Sequence, residues 1–229
     1  MNPRLAAVAC AVGLLAGCTH APVHEVRVDA IAKPEAEKRI SFRVEPRNAD
    51  TDETSLRYKE VKAHVVTALS GRGMYEAPVP DQADLVVVVD YGVNPGRLVR
   101  TEITQPVYEE KIREIPVAGG LITRTERELV QTGTEKIVVE EIHHEKYLRM
   151  VATDNRPVAE GRPAQVWVID ASSDGPSADL RKYLPILAAA SIEHIGRNTD
   201  GPVVIRLKDE PDGAIDFVKK GMPAERPKS

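Results

Sequence analysis

Asp170-Ala-Ser-Ser-Asp-Gly175 places oxygen-bearing side chains at Asp170, Ser172 and Asp174 with a glycine next, the first half of a loop that wraps a calcium ion. Such a loop closes with an acidic residue at its twelfth position, and that position is Arg181. The stretch instead reads as a strand-to-helix turn in which Asp170, Ser173 and Asp174 bond local backbone N–H groups. Among the six histidines, His143 and His144 are adjacent, so on a strand they point to opposite faces. His64 and His194 fall on separate expected helices, and His20 and His24 lie in a charged N-terminal stretch, so all six are expected at the surface. A zinc site needs three or four converging ligands, which this spacing does not supply. Ser172 and Ser173 have no glycine-flanked nucleophile motif around them. Gly71-Arg72-Gly73 precedes a strand rather than opening a helix, and Gly119-Gly120 lacks the lysine and hydroxyl of a phosphate loop. Adjacent carboxylates such as Glu140-Glu141 and Asp209-Glu210 read as solvated charge. No metal, no cofactor and no catalytic residue is therefore expected. The reactive group that stands out is the thiol of Cys18, at the border between an apolar run and polar sequence.

Met1 to Arg4 carries positive charge, Leu5 to Leu15 is apolar, and Ala16, Gly17 and Cys18 follow. The apolar run is shorter than the roughly 20 residues that span a bilayer, so it reads as a secretion signal. Leu15-Ala16-Gly17-Cys18 resembles the lipobox of bacterial lipoproteins. The resemblance implies that Cys18 is lipidated and becomes the first mature residue, its sulfur carrying a thioether-linked diacylglycerol. At about 0.8 kcal/mol per buried methylene, one acyl chain holds reversibly and two or three hold stably. Thr19 stands where an aspartate would favour inner-membrane retention, so the resemblance implies an outer-membrane, periplasm-facing anchor in a bacterial envelope.

Cys10 lies in the signal and Cys18 carries lipid, which leaves no thiol for a disulfide. Hydrophobic residues make up 42% of the chain but aromatics only 4%, so the core must come from Val, Ile, Leu and Ala. A formal charge of −4 without basic blocks gives nucleic acid nothing to hold. The expected organisation is a signal peptide (1–17), a lipidated cysteine with a flexible tether (18–38), one domain (39–208) and a polar tail (209–229) in which Ala214 to Lys220 has room for one or two helical turns.

Within the domain, Ile40, Phe42 and Val44 alternate with polar residues, as on a half-buried strand. Tyr58, Val61, Val65, Ala68 and Leu69 share one face of a helix capped by Ser55 or Asp52 and ended by Gly71 or Gly73. Ala83 to Val93, "ADLVVVVDYGV", and Gln165 to Ala171, "QVWVIDA", are β-branched runs that suit central strands apolar on both faces. Leu180, Leu184, Leu187, Ala188, Ser191 and Ile195 line a second helix, with Ser177 as cap and Gly196 as stop, and Gly201 to Leu207 returns as a strand. The fold class expected is α/β (α+β), a two-layer sandwich of a mainly antiparallel sheet and two amphipathic helices. "ADLVVVVDY" after the first helix and "VWVIDASS" before the last are similar to a family of small α/β bacterial envelope lipoproteins of unknown function, over residues 39–200. No functional residue carries over from that resemblance, and this chain departs from it in the long charged stretch 97–149.

That stretch, with nine basic and ten acidic residues, reads as strands joined at Gly119-Gly120, although "YEEKIREI" and "TRTERELV" also suit helices. Two helices cover only one face of a sheet. Either 97–149 folds back as a second layer, or an envelope protein partner or a second copy covers the other face. The leading expectation is a lipid-anchored, non-enzymatic binding or scaffold module held to the membrane. The alternatives are a periplasmic small-ligand sensor or enzyme, and a self-assembling homo-oligomer subunit.

Overall fold

The computed structural model describes residues 21–117, 122–156 and 163–221. Its first strand, β1 (Val23–Ala32), corrects the flexible tether expected over 18–38. Val26, Val28 and Ala30 are buried on one face while Glu25, Arg27 and Asp29 point to the other. The chain then forms β2 (Ser41–Pro46), α1 (Leu56–Gly71), the two-residue β3 (Tyr75–Glu76) and β4 (Leu85–Val93). Two long strands follow, β5 (Arg97–Val117) and β6 (Ile122–Asp154), and then β7 (Gln165–Gly175), α2 (Leu180–Ser191), β8 (Val203–Lys208) and α3 (Ala214–Lys220).

Seven strands make one sheet in the order β3-β2-β4-β6-β7-β1-β8, with β5 attached to β6 off that path. Only β2 pairs in parallel, with β3 and β4, and α1 makes the crossover between β2 and β4; all other pairs are antiparallel. The protein is thus an α+β fold with a mixed, mainly antiparallel open sheet, as the periodicities indicate. It carries three helices rather than two among the described residues. α3 lies inside the expected tail and buries Ile215 and Val218 against its neighbours.

The helices cover one face. Beneath them lie Val26 and Val28 of β1, Leu148, Met150 and Ala152 of β6, and Trp167, Ile169 and Ala171 of β7, all buried. Tyr58, Val61, Val65 and Leu69 of α1 and Leu184 and Leu187 of α2 close the core from above. Ser55 caps α1 by accepting from Tyr58 N at 3.3 Å. Asp179 rather than Ser177 caps α2, accepting from Lys182 N at 3.2 Å. Gly196 follows α2 at φ 71°, the left-handed backbone that glycine adopts without strain.

The other sheet face is apolar along these central strands, with Val86 buried, but it corrects the expectation that it must be covered. Val88, Val151 and Val168 are only half-buried there, among the ion pairs Arg149–Asp170 (3.4 Å), Arg47–Asp90 (3.1 Å) and Arg206–Glu25 (2.9 Å). An antiparallel sheet tolerates one wet face, which removes the need for a second layer. The stretch 97–149 does not fold back, and its helical alternatives are strands.

β4 and β5 run along the same edge of β6. Val93 pairs with Lys146 and Arg97 with His143, so the three residues that join β4 to β5 face two of β6 at the neck. A Cβ on Gly96 would come within 2.7 Å of Ile142 Cγ2 and 2.8 Å of His144 Cε1, so glycine is required where the chain crosses this neck. Register also sets direction: Leu148 pairs with Ala171 and Ala171 with Val28, so β1 and β6 run the same way. The start of β1 and the β5–β6 extension therefore leave the sheet at the same end.

Candidate functional site

Beyond the neck, the 21 residues of β5 pair along their whole length with β6, and no third strand joins them among the described residues. At about 3.3 Å per residue the ribbon extends roughly 70 Å, several times the reach of an ordinary strand. β6 is a single strand of 33 residues whose first part forms this arm and whose last part lies between β4 and β7 in the sheet. The arm is therefore continuous with the centre of the domain. The turn expected at Gly119-Gly120 lies outside the described residues.

Cross-strand partners share a face, so register sorts the arm's side chains. One face carries Leu98 opposite Ile142, then Val138, Tyr108, Leu129 and Ile112, each 54–71% exposed. Ion pairs separate these apolar steps on that same face: Arg100–Glu140 at 2.7 Å, Lys136–Glu102 at 3.5 Å and Arg127–Glu110 at 3.5 Å. The other face holds Val99, Val107, Ile137 and Val139, all half-buried, with Ile103 42% exposed among them, and farther out Val130, half-buried, beside Glu109, Lys111, Arg113 and Glu128. A bulge between Val107 and Tyr108 adds one residue to β6 and leaves β5 unbroken.

The neck is clamped from β7. Asp174 accepts from Arg97 at 2.9 Å and contacts His143 Nδ1 at 2.8 Å, while His143 Nε2 lies 3.6 Å from Glu141. Against the cost of its burial, the His143 hydrogen bond and the Arg97 charge hold the Asp174 carboxyl below the usual carboxylate range. This corrects the expected turn. Asp170 to Gly175 is the end of a strand, and Asp170, Ser172 and Asp174 face outward along it. Asp170 pairs with Arg149, and burial is the main cause that raises its pKa. Ser173 faces the core and donates to Glu25 O at 2.9 Å. Among the described residues no group of three or more His, Cys, Asp and Glu side chains converges as a metal site would. Cys18 lies outside the described residues.

Just inside the neck, sequence reasoning missed a buried amine. Lys146 faces the core and is fully buried, its Nζ 4.3 Å from the centroid of the Tyr183 ring and without a hydrogen-bond partner. Burial lowers its pKa, with Asp174 pulling the other way. The ring of His24, on β1 rather than in a tether, meets Tyr183 edge-on at 5.9 Å, and its Nε2 is buried and unpaired. A lone basic residue at a strand position carries no local signal of this environment. A largely apolar groove of about 460 Å³ lies between β8, α3 and the end of α2, lined by Ile205, Leu207, Ile192 and Phe217.

Three histidines, His24, His64 and His194, are shifted down, each chiefly by burial, which corrects the expectation of surface histidines. A depressed folded-state pKa means that the unfolded chain binds more protons as pH falls past about 6.5, so stability present above that value is lost below it. Thermal unfolding measured from about pH 8 to pH 5 should show the midpoint fall through this window. A second loss should follow below about pH 4, where Asp84 and Asp174, both depressed, take up protons. A flat midpoint across the first window would contradict the burial of these imidazoles.

Among the described residues no helix is long and apolar enough to cross a membrane. No protein-family model matches the sequence, and no curated protein does. Among solved structures, a PDZ domain protein from Parabacteroides distasonis is similar at a TM-score of 0.38 and 9% identity, over 82% of this chain. This chain spans 40% of that protein's length.

Proposed function

We propose that this chain is a lipid-anchored, periplasm-facing lipoprotein of a bacterial envelope that acts without catalysis, as a binding or scaffold module presenting its β-ribbon arm. The observation that carries the reading is the arm itself: two strands, about 70 Å long, with apolar side chains exposed along one face. A two-stranded ribbon is marginal in water on its own, so an arm of this length calls for a surface to rest on. Leu15-Ala16-Gly17-Cys18 supports the anchor, and the domain behind the arm serves as its rigid mount.

Photoreactive residues placed on the arm, at Leu98 and Tyr108, and on the helices, at Leu56 and Lys182, should give discrete adducts from the arm when irradiated in intact cells. Adducts from the helices alone would sink the reading. Cys18→Ala should release the protein from membranes washed in high salt; retention would contradict the anchor.

A further inference from the structure

We propose that the surface covering the arm is the same face of the arm of a second copy of this chain; the inference rests on the arm being the interaction element. Edge-to-edge pairing is disfavoured. Pro106 and Pro116 both lie in β5, each removes an N–H donor, and a proline inside a strand is tolerated where the missing donor faces away from the ladder. The free edge of β5 is thus guarded by proline, and that of β6, which β7 joins only from His144 on, by charged residues such as Glu135, Lys136, Glu140 and Glu141, so association uses a face.

One face carries the more exposed apolar side chains, each at least 54% exposed, against 42% for Ile103, the most exposed apolar residue of the other face among the described residues. Leu98, Ile142, Val138, Tyr108, Leu129 and Ile112 lie on it from the neck to beyond the bulge, because β5 keeps its alternation through the bulge. The charges between them are already matched within the face: Arg100 with Glu140, Lys136 with Glu102, Arg127 with Glu110. A polyanion, an anionic lipid surface or a strongly basic protein would have to break these pairs and would gain nothing for it. The hydrocarbon of a bilayer would have to desolvate them. A surface that repeats the same apolar steps and the same internally neutral pairs satisfies both demands, and an identical arm is such a surface, as two-fold assemblies require. The extent also fits. From Leu98 to Ile112 the face is about 50 Å long and about 10 Å wide, on the order of 500 Å² per copy, so two would bury roughly 1,000 Å², the size at which a specific interface begins.

The test uses the full-length protein purified in detergent. Photoreactive residues at Leu98, Tyr108 and Ile112 should give a covalent dimer, and those at Thr101 and Gln105, on the other face, should not. Sedimentation should show a dimer, and Tyr108→Glu with Ile112→Glu should raise its dissociation constant about a hundredfold while leaving the thermal midpoint of the domain unchanged. A monomer at all accessible concentrations, or equal dimer yield from both faces, would overturn the second-copy inference. If the arm positions instead capture one different envelope protein in cells, the arm reading stands and the second copy falls. If no arm position yields any adduct, both fall.

Discussion

Excision of the arm, with Val93 joined to Lys146 through an Asn-Gly turn, will leave a folded domain that no longer associates. Val93 and Lys146 are already cross-strand partners, so a two-residue turn closes a hairpin on existing register. Among the described residues the buried apolar side chains lie outside residues 94–145, and the excision takes none of them. What is lost at the junction is surface polar contact, Arg97 and His143 with Asp174 and Asn94 with Glu145 at 2.8 Å, and the two ladder positions at which His144 and Glu145 pair with Gly175 and Asp174 of β7. Exposed ion pairs of this kind contribute about 0–1 kcal/mol each, so the unfolding free energy should change by no more than about 2 kcal/mol. Self-association, by contrast, should vanish. Chemical denaturation and sedimentation of the excised protein check both halves. Failure to fold would show that the arm is part of the core's stability, and a persistent dimer would place the interface elsewhere.

Lys146→Glu should destabilise the domain by about 3–5 kcal/mol, the usual consequence of leaving an uncompensated charge buried. The ammonium of Lys146 meets the electron-rich face of Tyr183, an attraction that a carboxylate turns into repulsion, and Asp174 adds a second negative charge nearby. Lys146→Met is the informative comparison. It keeps a long unbranched stem, removes the cost of a buried amine without a hydrogen bond, and puts a sulfur against the ring, so stability should be within about 1 kcal/mol of the parent or above it.

The lowered pKa gives the pair a signature in alkaline solution. Between the folded-state value of Lys146 and the unfolded value of about 10.4, the unfolded chain binds the extra proton, so the parent gains stability as pH rises through that window. The methionine variant has no such gain. Tyr58, pushed up to about 12 chiefly by burial, works in the opposite sense above about pH 10, but it is common to both proteins and cancels in their difference. If Lys146→Glu unfolds at the same denaturant concentration as the parent, Lys146 is not buried as described.

The elements that the sequence makes plain are those whose pattern is local. "LVVVV" and "VWVI" are too β-branched and too short for helices, and both are central strands. The apolar stripe of α1 and its Ser55 cap follow from 3.6-residue spacing. β1 is hidden because Glu25, Arg27 and Asp29 occupy its wet face and make a strand resemble a charged linker. The helical turns of α3 over Ala214 to Lys220 are legible, but not its packing on the domain, since only Ile215 and Val218 are buried among charges and flanking prolines. The arm's strands are legible in composition. That β5 and β6 stand apart from the sheet is not, because alternation indicates which side chains share a face and not whether a third strand lies beside them. The Lys146, Tyr183 and His24 group draws on three separated elements, and nothing in the local sequence links them.

The start of β1 and the base of the arm leave the sheet at one end, and this sets a limit on posture. Cys18 precedes Val23 by five residues, a fully extended span of about 18 Å, against an arm of about 70 Å. With the proposed anchor at Cys18 the molecule would have too little slack to stand with its arm aimed at the bilayer, so the arm would sweep sideways, close to parallel with the lipid surface. Arms swept in one plane meet arms anchored in that plane. Confinement to two dimensions then does for association what a linker does for a tandem binder: it raises the local concentration of like surfaces far above that of the same protein free in solution. A dimer weak in detergent would be populated on the membrane, and its occupancy would follow surface density rather than total amount.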